Sequence, residues 1–449
     1  MRAKLRSVVV LGAVLALAGG SAYAQCPIDG ATPFQAGPLN PKSGFPLWVQ
    51  DTNGLSLEIC LDPVNCFFDP VDPSNPYSVR VGFGPEAFWW LADGSISARN
   101  IKAGVVMAAE AAWLNENPTP GDQFPFTRLR FRLDGLVFRG KYRVTHPYGI
   151  TEFVVDTLDA KGKPVGVFVS HDMPFAAAGQ NQGRVGPFLK WDPAVAPFAP
   201  AGYIGDGVTP HRVKGSPCGT DFLKVEGWDL TGKRLDLDGR GNNFVTTDLF
   251  TVSGKVATRA GVGVTRAAYT RGPWDPGVEV FAFSRPGQLI RVNVPNNPVA
   301  LMAGDANGRY YGFVEGDVPQ SNVTFTNISD PPELSPAYPE SSVTVPLTDT
   351  VFIKEAYYYR NTTTLDVMAA SSDEVSLCPA GVPRLTAYTD SGTKLGDLTI
   401  PVTGGIDLTI PTLVPPPSVT VKSCFGGSAT AIVDIGKCAR AGSSLTCKQ

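Results

Sequence analysis

Histidine is nearly missing from this sequence: three in 449 residues, at positions 146, 171 and 211. With so few, there is no HExxH and no histidine pair at helical ligand spacing, so a metalloprotease-type zinc site is not signalled. No G-x-S-x-G, G-x-G-x-x-G or G-x-x-x-x-G-K-[ST] occurs either. These absences leave no sign of a nucleophile elbow or of a phosphate-cradling loop. Charged residues are only 18% of the chain, against roughly 25% in an ordinary soluble domain. The net charge is −3 and there are no Lys/Arg runs, so nothing stands ready to neutralise a phosphate backbone, and a nucleic-acid partner is not expected. No CxxC occurs among the eight cysteines, which argues against a zinc ribbon, a thioredoxin-type centre or covalent haem. Beyond the N-terminus no apolar run reaches the roughly 20 residues that a membrane helix needs.

Turn-forming residues, by contrast, are abundant: 48 Gly and 40 Pro. Proline lacks the amide that a helix interior requires, and glycine costs backbone entropy there. Hydrophobic residues at 43% still supply packed cores, so global disorder is not expected. Many short strands joined by tight turns satisfy both facts, and the fold class is read as all-β and mostly antiparallel.

Residues 1–24 have the three parts of a secretory leader. Arg2, Lys4 and Arg6 precede the short apolar run Val8 to Ala18, and Ala22-Tyr23-Ala24 fits a small-x-small cleavage site. Cleavage removes three positive charges and no negative ones, taking the net charge from −3 to −6. All eight cysteines lie beyond it, and an even number in an exported chain reads as disulfides. Cys60 and Cys66 flank a short loop and are the best local pair. Cys378 with Cys424 and Cys438 with Cys447 are reasonable near neighbours, which leaves Cys26 with Cys218. The expected address is secreted: extracellular, on the cell surface, or in the periplasm.

An internal repeat organises the second half. Val278-Glu-Val280-Phe-Ala282-Phe-Ser284 aligns with Leu365-Asp-Val367-Met-Ala369-Ala-Ser371, and both alternate at the strand period of two. Val318-Pro-Gln-Ser-Asn-Val323-Thr-Phe325 aligns with Val414-Pro-Pro-Pro-Ser-Val419-Thr-Val421, and Ala268-Tyr269 with Ala356-Tyr357. The matches keep their order at offsets of 87, 96 and 88 residues. Residues 262–350 and 351–449 are therefore read as tandem β-sandwich domains of immunoglobulin or fibronectin type, each about 90 residues long. The Pro-rich stretch from Asp330 cannot be a central strand. A first β-rich domain, 25–258, carries all three His and six of the seven Trp. Within it Leu129 to Leu133 alternates cleanly, and Lys141 to His146 and Thr151 to Val155 flank a Pro-Tyr-Gly turn. Ala103–Leu114 is ambiguous, since its Ala-rich middle suits a helix and its setting between turns a strand.

Four groups in the first domain are candidates for chemistry. Phe88-Trp89-Trp90 is the densest aromatic patch. Strand alternation would send Trp89 and Trp90 to opposite faces, leaving one exposed to stack on a sugar or pack on a partner. Asp236, Asp238 and Asn242 resemble part of a calcium loop without its closing Glu, and they are the best candidates for a structural Ca²⁺. The same residues also make ordinary turns, as do Asp305 and Asn307. Ser170-His171-Asp172 invites a triad reading, which strand geometry opposes because adjacent side chains point to opposite faces. His171 with Met173 could supply a copper ligand pair. Asn322, Asn327 and Asn361 sit in N-x-[ST] sequons.

Four stretches, Phe45-Pro-Leu-Trp48-Val-Gln-Asp51, Thr145-His146-Pro-Tyr-Gly149, Gly186-Pro-Phe188-Leu and Thr247-Asp-Leu-Phe-Thr-Val-Ser-Gly254, resemble a group of uncharacterised exported bacterial proteins. Those proteins carry a Trp-rich β domain followed by Ig-like repeats. The resemblance supports the domain boundaries and implies no activity and no site residue. The leading expectation is a secreted, non-enzymatic protein of β-sandwich modules that binds a surface polysaccharide or another surface protein, or serves as a structural component. The alternative is a secreted hydrolase acting on polysaccharide, with a carboxylate pair somewhere in residues 25–258.

Overall fold

The computed structural model describes residues 34–175, 179–181, 184–272, 276–318, 320–331, 341–399, 407–436, 438–441 and 444–447. The expected leader, Cys26 and most of the Pro-rich stretch after Asp330 lie outside these residues. The chain is nearly all β, as its composition requires, and the one helix among the described residues is the six-residue Pro76–Val81. Asn75 caps that helix, its side-chain oxygen accepting from the amides of Tyr77 and Ser78.

The N-terminal body is built on a seven-stranded sheet. Its strands run in the order Lys190–Trp191, His211–Lys214, Leu249–Ser253, Glu86–Ala98, Ile101–Trp113, Gln123–Asp134 and Val167–Pro174. The ambiguous segment is thus a strand, Ile101–Trp113, paired along its whole length with both neighbours. Alanine fits there because the C-terminal half of the strand is covered on both faces. A four-stranded sheet, Phe244–Thr247, Leu223–Trp228, Gly140–His146 and Gly149–Val155, packs on one side. Phe131 of the large sheet meets His146 and Phe153 of the smaller one edge-on. A third sheet of short strands, including Trp48–Gln50 and Ser56–Glu58, closes the same core. The Cys60–Cys66 disulfide is present at the edge of this body.

Two β-sandwiches follow, and their strand orders correspond except for one extra short edge strand, Ala303–Gly304, in the first. In the first, Arg309–Glu315, Gly277–Phe283, Gly263–Thr270 and Thr348–Asp349 form one sheet; in the second, Asp407–Pro411, Thr364–Ser371, Val351–Tyr359 and Asp434–Gly436 do. In each, the first long strand pairs in parallel with the short last one. Each first strand also carries a bulge at the same place, between Val264 and Arg266 and between Ile353 and Glu355. The alternating residues expected inside are inside: Val278, Val280, Val323 and Phe325, and their counterparts Leu365, Val367, Val419 and Val421, are fully buried. Cys378–Cys424 is bonded in the second sandwich. Cys438 and Cys447 fall on facing register positions of a terminal hairpin, and Cys218 is disulfide-bonded.

No free linker separates the sandwiches. Thr348–Asp349 belongs to the sheet of the first, and Val351 opens the sheet of the second. Across the junction the Tyr269 hydroxyl donates to Asp373 Oδ2 at 2.9 Å, the Gly427 amide donates to Asp349 Oδ1 at 2.8 Å, and the Arg271 and Ser372 backbones bond directly. Asp373 is fully buried, and its other oxygen accepts the amides of Val375 and Ser376. Such a carboxylate satisfies three donors at once. Asp373→Ala is expected to cost about 3 kcal/mol by stranding them. Calorimetry should show the unfolding of the C-terminal sandwiches shifted down by several degrees; an unchanged transition would count against a coupled junction.

Candidate functional site

The outer face of the seven-stranded sheet is set up by one irregularity. The register between Glu86–Ala98 and Ile101–Trp113 shifts between Phe88 and Trp90, so Trp89 is an extra residue. A bulge of this kind puts two consecutive side chains on one side of the sheet and reverses the alternation that follows. Trp89 and Trp90 are both fully buried in the same core cluster. Their indole N–H groups donate to the carbonyls of Pro46 and Leu189. The expectation that one of them is exposed for ligand stacking is therefore corrected, because strand alternation does not hold across the bulge.

Beyond the bulge the odd-numbered residues Leu91, Asp93, Ser95 and Ser97 face outward, opposite Ala108, Val106, Gly104 and Lys102. The next strand adds Arg128, Arg130 and Arg132, and the edge strand Val167–Pro174 sets Asp172, Ser170 and Phe168 against them in register. The three arginine rungs differ chemically. Arg128 is compensated: it bonds Glu110 Oε2 at 2.8 Å and grips Asp172 through two bonds of 3.1 and 3.0 Å, with Glu86 4.0 Å away. Arg130 faces the Ser170 hydroxyl at 3.4 Å, and among the described residues no carboxylate pairs with it or with Lys102. Arg132 makes an exposed 3.4 Å contact with Asp134. The Phe168 ring, itself 59% exposed, carries both guanidiniums at 5.3 and 5.4 Å from its centroid.

Between these groups and Asp93, Ser95 and Ser97 runs a trough of about 540 Å³ floored by Gly104 and Val106. It exists because the floor side chains are small and, among the described residues, no other element covers the face. Asp93 is half-buried there, and desolvation pushes its carboxyl above the ordinary range. Glu110 lies entirely out of solvent, and burial raises it to about 8 despite Arg128. Its second oxygen has no hydrogen-bond partner. Burial also opposes charge on Asp172, yet bonds from Arg128 and Ser170 hold it below its usual range.

The remaining candidates are placed differently. Ser170 donates to Asp172 at 2.7 Å on the outer face, while His171, one residue between them, points to the other side. His146 is buried and driven to about 3, chiefly by desolvation, so it is neutral. His211 is buried and stacks on Trp191. The calcium candidates Asp236, Asp238 and Asn242 lie in a turn whose side chains are engaged with the chain itself. Asp236 accepts the amides of Gly239 and Arg240, Asp238 accepts those of Arg240 and Asn242, and the Asn242 side chain presents its NH₂ group to Asp238 rather than an oxygen to a cation. These are turn bonds. Asp305 does the same for Asn307 and Arg309. No cluster of three or more His, Cys, Asp or Glu able to hold a metal occurs among the described residues. Of the sequon residues, Asn327 is buried with its amide on Gly261.

No protein-family model matches the chain, and no curated protein matches it. Among solved structures it is similar to native alpha-2-macroglobulin from Escherichia coli spanning domains MG0-NIE-MG1, at 10% identity over 69% of this chain and 92% of that one, with a TM-score of 0.19. It is also similar to the BSP domain of a biofilm-associated protein, at 10% identity over 91% and 89% of the two chains, with a TM-score of 0.18. Superposition this loose carries no argument about fold or function.

The buried carboxylate gives a pH prediction. Its folded value lies above the unfolded one of about 4.5. The stability it contributes is therefore complete below that value and is lost as pH rises toward 8. Glu110→Gln keeps an acceptor for Arg128 and removes this dependence. Melting curves should show the variant's advantage over the parent growing from pH 5 to pH 8; a gap that stays constant across that range would contradict the assignment.

Proposed function

We propose that this chain is a secreted, non-enzymatic binding protein. In this reading the N-terminal body presents the trough on its outer sheet face to a surface polymer, and the two sandwiches act as a stiff spacer. The observation that carries the reading is the uncovered face itself. Antiparallel sheets commonly leave one face to water, but that face is then expected to be evenly polar. Here it holds a concave strip in which, among the described residues, Arg130 and Lys102 have no ion-pair partner and Arg132 makes only an exposed contact with Asp134. The bonded Cys60–Cys66 and Cys378–Cys424 pairs support an oxidising compartment, as the leader does. No helix among the described residues is long and apolar enough to cross a membrane.

Gly104 supplies the test. A Cβ built there meets only the Gly94 carbonyl oxygen, 3.8 Å away, so a large side chain fills the trough without touching the core. The mature chain and its Gly104→Trp variant would be applied to immobilised glycans and surface polymers, and the supernatants assayed for cleavage. Retention by the parent, at least tenfold weaker retention by the variant, and no soluble products are expected. Equal retention by both would place binding elsewhere, and released products would overturn the non-enzymatic reading.

A further inference from the structure

We infer that the polymer taken by this trough is a carboxylated polysaccharide, read by Arg130, Arg132 and Lys102. The inference rests on the outer face being the binding site and adds the chemistry of its occupant. The argument begins with charge. The whole chain is net negative, with 38 basic against 41 acidic residues, yet the trough is lined by three cations and two carboxylates. The excess is also available. Arg128, one rung away, is already bound by Glu110 and Asp172, whereas among the described residues Arg130 and Lys102 have no ion-pair partner.

Geometry then favours planar carboxylates. Alternate residues on a strand stand about 7 Å apart on one face, so Arg130 and Arg132 present two guanidinium forks in a row. Each fork can take a carboxylate through two parallel hydrogen bonds. Phe168 lies against both guanidiniums, which restrains them before a ligand arrives and lowers the entropy lost on binding. The opposite wall offers the hydroxyls of Ser95 and Ser97 and the carboxylate of Asp93. These groups suit sugar hydroxyls as donors and acceptors. Single-stranded nucleic acid needs aromatic faces free for base stacking, and here the one aromatic ring lining the trough is occupied by arginines.

The test uses the mature chain, with polygalacturonate and alginate as probes and methyl-esterified polygalacturonate as the neutral counterpart. Binding to an acidic polymer is expected, weakened at least tenfold by esterification and falling as salt rises. Arg130→Gln combined with Arg132→Gln should cost at least tenfold and flatten the salt dependence, with the melting temperature confirming a folded variant. If the ester or the double variant binds as well as the parent acidic pair while Gly104→Trp still abolishes binding, the site stands and the acidic assignment falls. If Gly104→Trp binds like the parent, the site itself is wrong. Failure of both acidic polymers to bind, or their displacement by single-stranded DNA at lower concentration, would also overturn the inference.

Discussion

The extra residue at Trp89 governs the N-terminal body more than any other local feature. By doubling the inward side chains at one point of Glu86–Ala98, it drives two indoles into the core, where each finds a backbone carbonyl for its N–H. The same insertion turns Asp93, Ser95 and Ser97 outward. Without it these residues would face the four-stranded sheet, where a buried carboxylate and two hydroxyls would lack partners. One insertion thus stabilises the interior and creates one wall of the trough.

The other wall depends on a buried polar network. Arg128 pairs with the Asp172 carboxylate and hydrogen-bonds Glu110, whose carboxyl burial raises to about 8, so the central strands and the edge strand Val167–Pro174 are tied together at the level of Glu110. Networks of this kind add little net stability, because desolvation offsets most of the attraction. Their contribution here is positional: the edge strand is held in the register that brings Phe168 opposite Arg132. The tightly held rung fixes the geometry, and the Arg130 rung and the exposed Arg132–Asp134 pair beside it are left for a ligand.

Much of this was legible in the sequence, and the failures have identifiable causes. Turn-former abundance, the period-two segments and the internal repeat point to an all-β chain, and the buried Val278, Val280, Leu365 and Val367 follow from alternation alone. Cys60–Cys66 and Cys378–Cys424 follow from local spacing. Alternation misleads at Phe88-Trp89-Trp90, because a bulge leaves no mark in a single sequence. The Asp236 loop stays ambiguous from sequence because turn chemistry and calcium chemistry draw on the same residue types. The trough itself was missed. Its signal, Arg128-x-Arg130-x-Arg132 on one face of a strand, is present, but only pairing shows that Arg128 is neutralised while Arg130 and Arg132 face Ser170 and Phe168.

The most direct test of this account is a hydrogen-exchange footprint of the full mature chain with and without an acidic oligosaccharide. The account requires added protection in peptides covering Asp93–Val106, Arg128–Asp134 and Phe168–Asp172, with the two sandwiches unchanged. Protection confined to the sandwiches, or to the loops around Asp236, would contradict the claim that this sheet face is where the protein meets its ligand.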